Sequence, residues 1–137
     1  MYLLDTNVLS ELRRGNRADP KVASWVARIH SADLFLSAIT ILEIEIGARL
    51  MARRDRVQGA ALRGWIDHQV LTAFEGRILV VDAAVAQRCA ELHVPDPRAE
   101  RDALIAATAL VHRMKVATRN GVDFQPMGVG LVNPWAG

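Results

Sequence analysis

The sequence predicts a three-layer α/β/α sandwich around a central, mostly parallel five-stranded sheet. Short apolar runs alternate with helical patterns along the chain, which is typical of βα units and of a parallel sheet. The apolar runs are continuous rather than alternating, which indicates that helices cover both faces of the sheet. A length of 137 residues with 51% hydrophobic residues fits one domain, residues 1–137.

The elements follow from apolar runs, caps and breakers, in chain order. The predicted strands are Tyr2–Leu4, Leu34–Ser37, Ile78–Val81 (expected to be buried), Lys115–Thr118 and Gly130–Val132. The predicted helices are Val8–Arg14, Pro20 to about Ile29, Thr40 to about Met51, Val57 to about Thr72, Ala83–Leu92 and Asp102–His112. Asp19, Thr40 and Asp82 stand where N-caps are favoured, and Pro20 suits a first helical position. Gly15 ends the first helix, and Pro95 and Pro97 mark a loop.

Composition excludes several classes of protein. The hydrophobic content is too high for a disordered chain. The longest apolar runs, near 34–42 and 103–111, fall short of the roughly 20 residues needed to span a bilayer, so we expect no membrane association. No basic segment of a signal peptide precedes Asp5, and the lone Cys89 allows neither an intrachain disulfide nor a cysteine zinc site. We therefore expect a cytoplasmic protein.

The positive charge is carried almost entirely by arginine. The formal net charge is only +2, and Lys21 and Lys115 are the only lysines. Five arginines crowd one segment: Arg49, Arg53, Arg54, Arg56 and Arg63. Arginine suits phosphate recognition, so this segment either contacts RNA or an acidic partner or is a solvated helix face.

Acidic and amide side chains follow predicted strands or begin predicted helices. Asp5 follows the first strand, and Asn120 and Asp123 follow the fourth. Glu43 and Asp102 lie near the starts of two helices. In an α/β sheet, sites form at the carboxyl ends of strands near a topological switch point, so we expect these side chains to converge.

Each acid also has a local interpretation. Asp5 can cap the helix that follows it. Thr40 and Glu43 have the spacing of a capping box. Asp102 complements a helix dipole, and Asp123 can be an ordinary loop acid.

Convergence of the acids would require a counter-charge. Two like charges about 4 Å apart repel by roughly 4 kcal/mol at an effective dielectric near 20. A domain that is stable by about 5–15 kcal/mol cannot absorb several such contacts. Hard oxygen ligands without a cysteine or histidine cluster favour Mg²⁺ or Mn²⁺.

Four motifs in order, with a closing segment, resemble PIN-domain nucleases of the VapC/FitB type over essentially the whole chain. They are Leu4–Glu11, Ser37–Gly47, Asp102–Ala109, Ala117–Asn120 with Asp123 and Phe124, and Val132–Trp135. The resemblance implies a PIN-like sandwich and a metal-dependent endoribonuclease, the toxin of a type II toxin–antitoxin pair. It implies RNA as substrate, a cognate antitoxin of the VapB/FitA kind as inhibitor, and operator DNA bound only through that antitoxin.

The resemblance also assigns roles to the acids. Asp5, Glu43, Asp102 and Asp123 fall on the acidic catalytic positions of the family. Asp5 and Asp102 are the implied direct metal ligands, and Glu43 is either a ligand or a base. The fourth position is open, because some relatives carry an acid where this chain has Asn120. Asp123 then either fills that position or acts at one remove from the metal.

Supporting roles go to polar neighbours. Thr6, Asn7 and Thr118 are expected to orient the carboxylates, together with Asn120, and Arg119 to contact phosphate or RNA. Residues two apart on a helix point in different directions, so Glu45 cannot share the crevice with Glu43.

The role of one apolar group and the function itself each have an alternative. Ile41, Ile44 and Leu50 suit either the core or a homodimer, and Trp135 is expected to anchor the tail. The alternative function is a non-catalytic PIN-fold module that binds an antitoxin and acts in operator DNA recognition.

Overall fold

A five-stranded parallel sheet forms the centre of the computed structural model, which describes residues 1–136. Gly137, the last residue of the predicted domain, lies outside this range. The strands are β1 (Tyr2–Leu4), β2 (Leu34–Ser37), β3 (Ile78–Leu79), β4 (Lys115–Ala117) and β5 (Leu131–Val132). They lie in the order β3-β2-β1-β4-β5, and each neighbouring pair is parallel. The predicted fold class is confirmed.

Helices flank the sheet on both faces. They are α1 (Thr6–Arg13), α2 (Pro20–Arg28), α3 (Ala38–Arg54), α4 (Arg56–Trp65), α5 (Leu71–Ala73), α6 (Ala83–Leu92), α7 (Glu100–Val111) and α8 (Gly121–Phe124). A π-helical segment, Ile66–Val70, joins α4 to α5, and a short 3₁₀ turn, Pro134–Ala136, ends the described chain. Within residues 1–136, no helix has both the length and the apolarity to cross a bilayer.

Each face of the sheet covers its own apolar core. Successive side chains of a strand point to opposite faces. Leu3 therefore packs with Val85 and Ile105 on one side, while Leu4 packs with Val8 and others on the opposite side. Both leucines of β1 are fully buried. This arrangement explains why the strand sequences are continuously apolar.

The strand order places the topological switch point between β1 and β4. The chain runs outward from β1 through β2 to β3, then returns to add β4 and β5 on the other side. The backbone N–H of Asp5 donates to the carbonyl of Ala117 at 2.9 Å, which ties the carboxyl ends of β1 and β4 together. A crevice at this point is where an α/β sheet of this kind binds ligands.

The predicted cap of α3 is wrong. The helix begins at Ala38, directly after β2, and Ser37 is its N-cap, since the Ser37 hydroxyl accepts a hydrogen bond from Ile39 N–H at 3.0 Å. Thr40 is fully buried inside the first turns of the helix. Glu43 is consequently not part of a capping box, and its carboxylate is available for other contacts.

The predicted buried strand Ile78–Val81 is also wrong in part. β3 contains only Ile78 and Leu79, and Val80 is 65% exposed. β3 lies at the edge of the sheet with β2 as its neighbour, so its outer side lacks the cover that a central strand has. Other bounds differ by a few residues. Most notably, α1 begins at Thr6 because the Asp5 carboxylate caps it.

Helices α3 and α4 form a tightly packed hairpin. A Cβ atom on Gly59 would lie 2.4 Å from the Cα of Ala52, so the two helices approach at a distance that only glycine permits. Of the apolar residues left open between core and dimer, Ile44 is buried in the core, whereas Leu50 is 60% exposed. Most arginines of this hairpin are exposed: Arg49, Arg53, Arg54 and Arg56.

Candidate active site

Asp5 is a buried carboxylate at the switch point, with both oxygens held. Its side chain is 5% exposed. Oδ1 accepts from the backbone N–H of Thr6 at 2.8 Å, and Oδ2 accepts from the Thr118 hydroxyl at 2.8 Å and from Asn7 Nδ2 at 3.3 Å. Burial raises the pKa of Asp5, and although these hydrogen bonds oppose that effect, the net shift remains upward. Asp5 thus caps α1 and also presents an oriented carboxylate to the crevice.

Glu43 is tied to the same corner by Thr6. The Thr6 hydroxyl donates to Glu43 Oε1 at 2.7 Å, while the Thr6 backbone N–H donates to Asp5. The other oxygen, Oε2, lies 3.9 Å from Nη1 of the half-exposed Arg101. One threonine therefore fixes two carboxylates that are 38 positions apart in the chain.

Glu45 lies on another face of α3, as the helical spacing predicts. Both of its oxygens accept hydrogen bonds from the Arg63 guanidinium at 2.7 Å. These hydrogen bonds lower the pKa of Glu45. The same guanidinium holds Asp67 at 2.8 Å. Glu45 is thus part of a surface ion-pair cluster and not of the crevice.

Asp102 experiences the negative charge of all the other candidate acids. It lies in the first turn of α7. Partial burial raises its pKa, and the charges of Asp5, Asp123 and Glu43 raise it further, in that order of size. An ordinary helix-dipole residue would show the opposite shift, since a helix N-terminus favours the charged carboxylate.

Three of the four acids line one cavity of about 520 Å³: Asp5, Glu43 and Asp102. Its wall also contains predicted supporting residues, namely Thr6, Asn7, Arg119 and Asn120. Thr118 lies just beneath, 1% exposed, and its hydroxyl also accepts from Asn120 N–H at 2.9 Å.

Asp123 lies apart from this cavity. It is exposed and lines a smaller cavity of about 280 Å³, together with Arg98 and with Asp102, which borders both cavities. At the position after Arg119, the side chain that reaches the main cavity is that of Asn120. Asp123 therefore borders the site only through the smaller cavity, which it shares with Asp102.

Sequence reasoning missed four residues of the cavity wall: Ser10, Glu11, Arg14 and Trp135. Ser10 and Glu11 share a face of α1 with Asn7, and Arg14, which follows the helix directly, continues the i, i+3, i+4 and i+7 spacing; this spacing is a signal that could have identified them. Glu11 is occupied locally, since it accepts from Arg14 at 3.0 Å and from the backbone of Asp19 at 2.9 Å.

The acids do not form a preformed metal cage. Among residues 1–136, no group of three or more Asp, Glu, His or Cys side chains is close enough to hold an ion unaided. The donors in the cavity are carboxylate, amide and hydroxyl oxygens. This donor set fits Mg²⁺, which commonly uses one or two carboxylates and completes its shell with water and substrate phosphate.

Comparison with known proteins identifies the family of this chain. The family model of the PIN domain matches residues 2–127. The chain is 34% identical to the VapC ribonuclease Y4jK of Sinorhizobium fredii, over 98% of each protein. It is 35% identical to Toxin FitB of Neisseria gonorrhoeae, over 98% of this chain and 99% of that protein.

A solved structure shows the same fold at full length. The structure of FitAB bound to an IR36 DNA fragment contains a chain that superimposes with a TM-score of 0.88 at 36% identity. The match covers 98% of this chain and 96% of that chain. With its strand order, its carboxylates at the switch point and its full-length relatives, the protein belongs to the PIN domain family.

Proposed function

We propose that this protein is a Mg²⁺-dependent endoribonuclease and the toxin of a type II toxin–antitoxin pair, acting in the cytoplasm. The observation that carries the proposal is the cavity at the switch point, where Asp5, Glu43 and Asp102 lie together. Two of these acids, Asp5 and Asp102, have raised pKa values. Perturbed carboxyl groups in a cleft are typical of catalytic sites. The names of the two relatives, a VapC ribonuclease and a toxin, support the same activity.

Asp5 and Asp102 would hold the ion. Asp5 would offer an oxygen fixed by Thr118 and Asn7, and burial together with the neighbouring acids disfavours the charged form of Asp102, which a cation would offset. A bound Mg²⁺ would neutralise these charges and act as a Lewis acid toward water and phosphate; Mn²⁺ can substitute.

The chain's own residues would position the reactants. Glu43 is held through Oε1 by Thr6, so Oε2 remains to orient a water or to accept its proton. Arg119 and Asn120, which line the same cavity, would contact a phosphate of the RNA backbone. Asp123 would act through Asp102, since it lies outside the main cavity.

Cleavage of RNA by the purified chain, free of any antitoxin, tests this function. We expect cleavage with Mg²⁺ and none with EDTA, and we expect Asp5→Asn and Asp102→Asn to abolish it. Asp96→Asn is the matched control, because it makes the same chemical change in an exposed loop residue. Cleavage that persists in EDTA or in both site variants would contradict the proposed mechanism.

A toxin of this kind would also bind an antitoxin. An antitoxin with a basic segment would complement the acidic cavity and silence it, and the exposed Leu50 is available to a partner or to a second copy of the chain.

A second candidate is favoured by the DNA-bound FitAB structure. In this alternative the chain is a non-catalytic module that recognises operator DNA through its antitoxin. It predicts that the complex binds operator DNA normally while the free chain leaves every RNA intact in Mg²⁺. The presence of Asp5, Glu43 and Asp102 in one cavity favours the nuclease.

A further inference from the structure

The acidic cavity is also lined by a cation and an aromatic ring, Arg119 and Trp135. Among residues 1–136, two arginines lie over tryptophan rings: Arg119 over Trp135 at 5.2 Å and Arg13 over Trp65 at 5.8 Å. Arg119 and Trp135 line the cavity that contains Asp5 and Asp102. Arg13 and Trp65 line the neighbouring groove between α1, α3 and α4.

The loops that carry Arg119 and Trp135 are firmly held. Thr118 N–H donates to the carbonyl of Val132 at 3.0 Å, which joins the ends of β4 and β5. The backbone N–H of Arg119 donates to Asn7 Oδ1 at 3.4 Å. On the second loop, Trp135 N–H donates to Asn133 Oδ1 at 3.0 Å, and Pro134 is buried. The side chains themselves remain accessible, because Arg119 is exposed and Trp135 is half-buried.

Arg119 and Trp135 supply what the carboxylates of the cavity lack. Carboxylates repel RNA, and a bound cation would offset this only at the phosphate that it contacts. A nucleotide beside that phosphate needs a cation for its own phosphate and a flat surface for its base. A guanidinium and an indole provide both, and base–aromatic stacking is largely independent of base identity.

We propose that Arg119 and Trp135 form a nucleotide subsite for single-stranded RNA. The base next to the cleaved phosphodiester stacks against the Arg119–Trp135 pair, and the Arg119 guanidinium contacts the adjoining phosphate. The subsite rests on the proposed nuclease function. The indole of Trp135 packs against the core and so anchors the tail, and the subsite gives this residue a second role.

Steady-state cleavage of a short single-stranded RNA with Mg²⁺ tests the subsite. We expect Trp135→Leu, which removes the stacking surface but keeps an apolar side chain, to raise KM at least about fivefold with kcat within about twofold. Trp135→Phe should retain most of the wild-type KM. Arg119→Gln should raise KM and weaken its dependence on salt. Trp65→Leu is the matched control and should leave KM unchanged.

An abasic substitution separates base stacking from phosphate contact. Once wild-type protein has identified the cleaved bond, RNAs lacking one base at each flanking position are compared for binding to the Asp102→Asn variant. We expect one abasic position to weaken binding at least about fivefold in this background. The same abasic RNA should cause no further loss when Trp135→Leu is also present.

The outcomes distinguish the two proposals. If wild-type protein fails to cleave RNA in Mg²⁺, the nuclease function itself fails. If cleavage occurs but Trp135→Leu and Arg119→Gln both keep the wild-type KM, only the subsite is overturned. It is also overturned if the abasic penalty persists in the Trp135→Leu background. Should Trp135→Leu not fold by circular dichroism, Arg119→Gln carries the KM comparison, and abasic RNAs that all bind the Asp102→Asn variant as tightly as intact RNA would overturn the subsite.

Discussion

Two groups of carboxylates in this protein have opposite electrostatics. In the surface cluster, the Arg63 guanidinium lowers the pKa values of Glu45 and Asp67 through hydrogen bonds. In the cavity, burial raises the pKa values of Asp5 and Asp102, and neighbouring acids add to the effect. The negative charge of the surface cluster is therefore neutralised by Arg63, whereas the negative charge in the cavity is not fully neutralised. An incomplete balance costs stability and is typical of functional sites.

The largest expected difference between the two groups is in activity. Glu43→Gln should reduce cleavage of single-stranded RNA by about 100-fold or more, because it removes a proton acceptor from the cavity. Glu45→Gln makes the same change two residues along α3 and should leave kcat near the wild-type value. Initial rates with Mg²⁺ measure both variants; equal losses would show that the helix, rather than the position of Glu43, controls activity.

The second difference is in stability without metal. Asp102→Asn removes one of several mutually repelling charges, so it should raise Tm by a few degrees in EDTA. Mg²⁺ should raise the Tm of the wild-type protein and have little effect on the variant, since a ligand stabilises only the state that binds it. Scanning calorimetry with and without Mg²⁺ measures both shifts. A lower Tm for Asp102→Asn in EDTA would show that the charge is compensated within the fold.

The surface cluster should respond in the opposite direction and more weakly. Arg63→Gln removes the partner of Glu45 and Asp67, and we expect a small decrease in Tm because exposed ion pairs contribute little. RNA cleavage should be unaffected. Thermal unfolding at low and high salt checks the origin of the decrease, which should shrink as salt screens the pairs.

The smallest effect is the pH dependence of the stability changes caused by Asp102→Asn and Arg63→Gln. The lowered pKa values of Glu45 and Asp67 mean that their ion pairs with Arg63 stabilise the folded state fully at a pH above the ordinary carboxyl range. This stabilisation is lost as the pH falls through the lowered pKa values. The raised pKa of Asp102 means that the wild-type protein gains stability relative to Asp102→Asn as the pH falls through the raised value toward 3.8.

Unfolding in EDTA from pH 7 to pH 4 distinguishes the two. The higher stability of Asp102→Asn relative to the wild-type protein should already decrease over this range. The lower stability of Arg63→Gln should begin to approach the wild-type value only near pH 4. A parallel pH dependence of the two differences would contradict the opposite assignments.

The sequence was sufficient for the fold class and for the convergence of Asp5, Glu43 and Asp102, but not for the position of Asp123 in a separate, smaller cavity. Apolar runs and caps such as Asp19 and Asp82 are local signals, and the strand-end rule placed Asp5 correctly at the carboxyl end of β1. Ser37 and Thr40 are both good capping residues, so the true start of α3 depended on where β2 ended. The exposure of Val80 depended on the position of β3 at the sheet edge, which no local pattern records.

Contacts between distant segments were less predictable than the position of Asp5. The bidentate contact between Glu45 and Arg63 depends on how α4 folds back on α3, and this in turn depends on the close approach at Gly59. Trp135 reaches the cavity because the tail turns after β5. Such contacts arise between distant segments, and one sequence read alone gives no measure of their distance.

Thr6 joins Asp5 and Glu43 through the first turn of an eight-residue helix, outside either apolar core. Its side chain is only half-buried. One hydroxyl at the periphery therefore holds Glu43 beside Asp5, while the stability of the fold depends on the packed interior. A substitution at position 6 is therefore expected to change the position of Glu43 in a molecule that still folds.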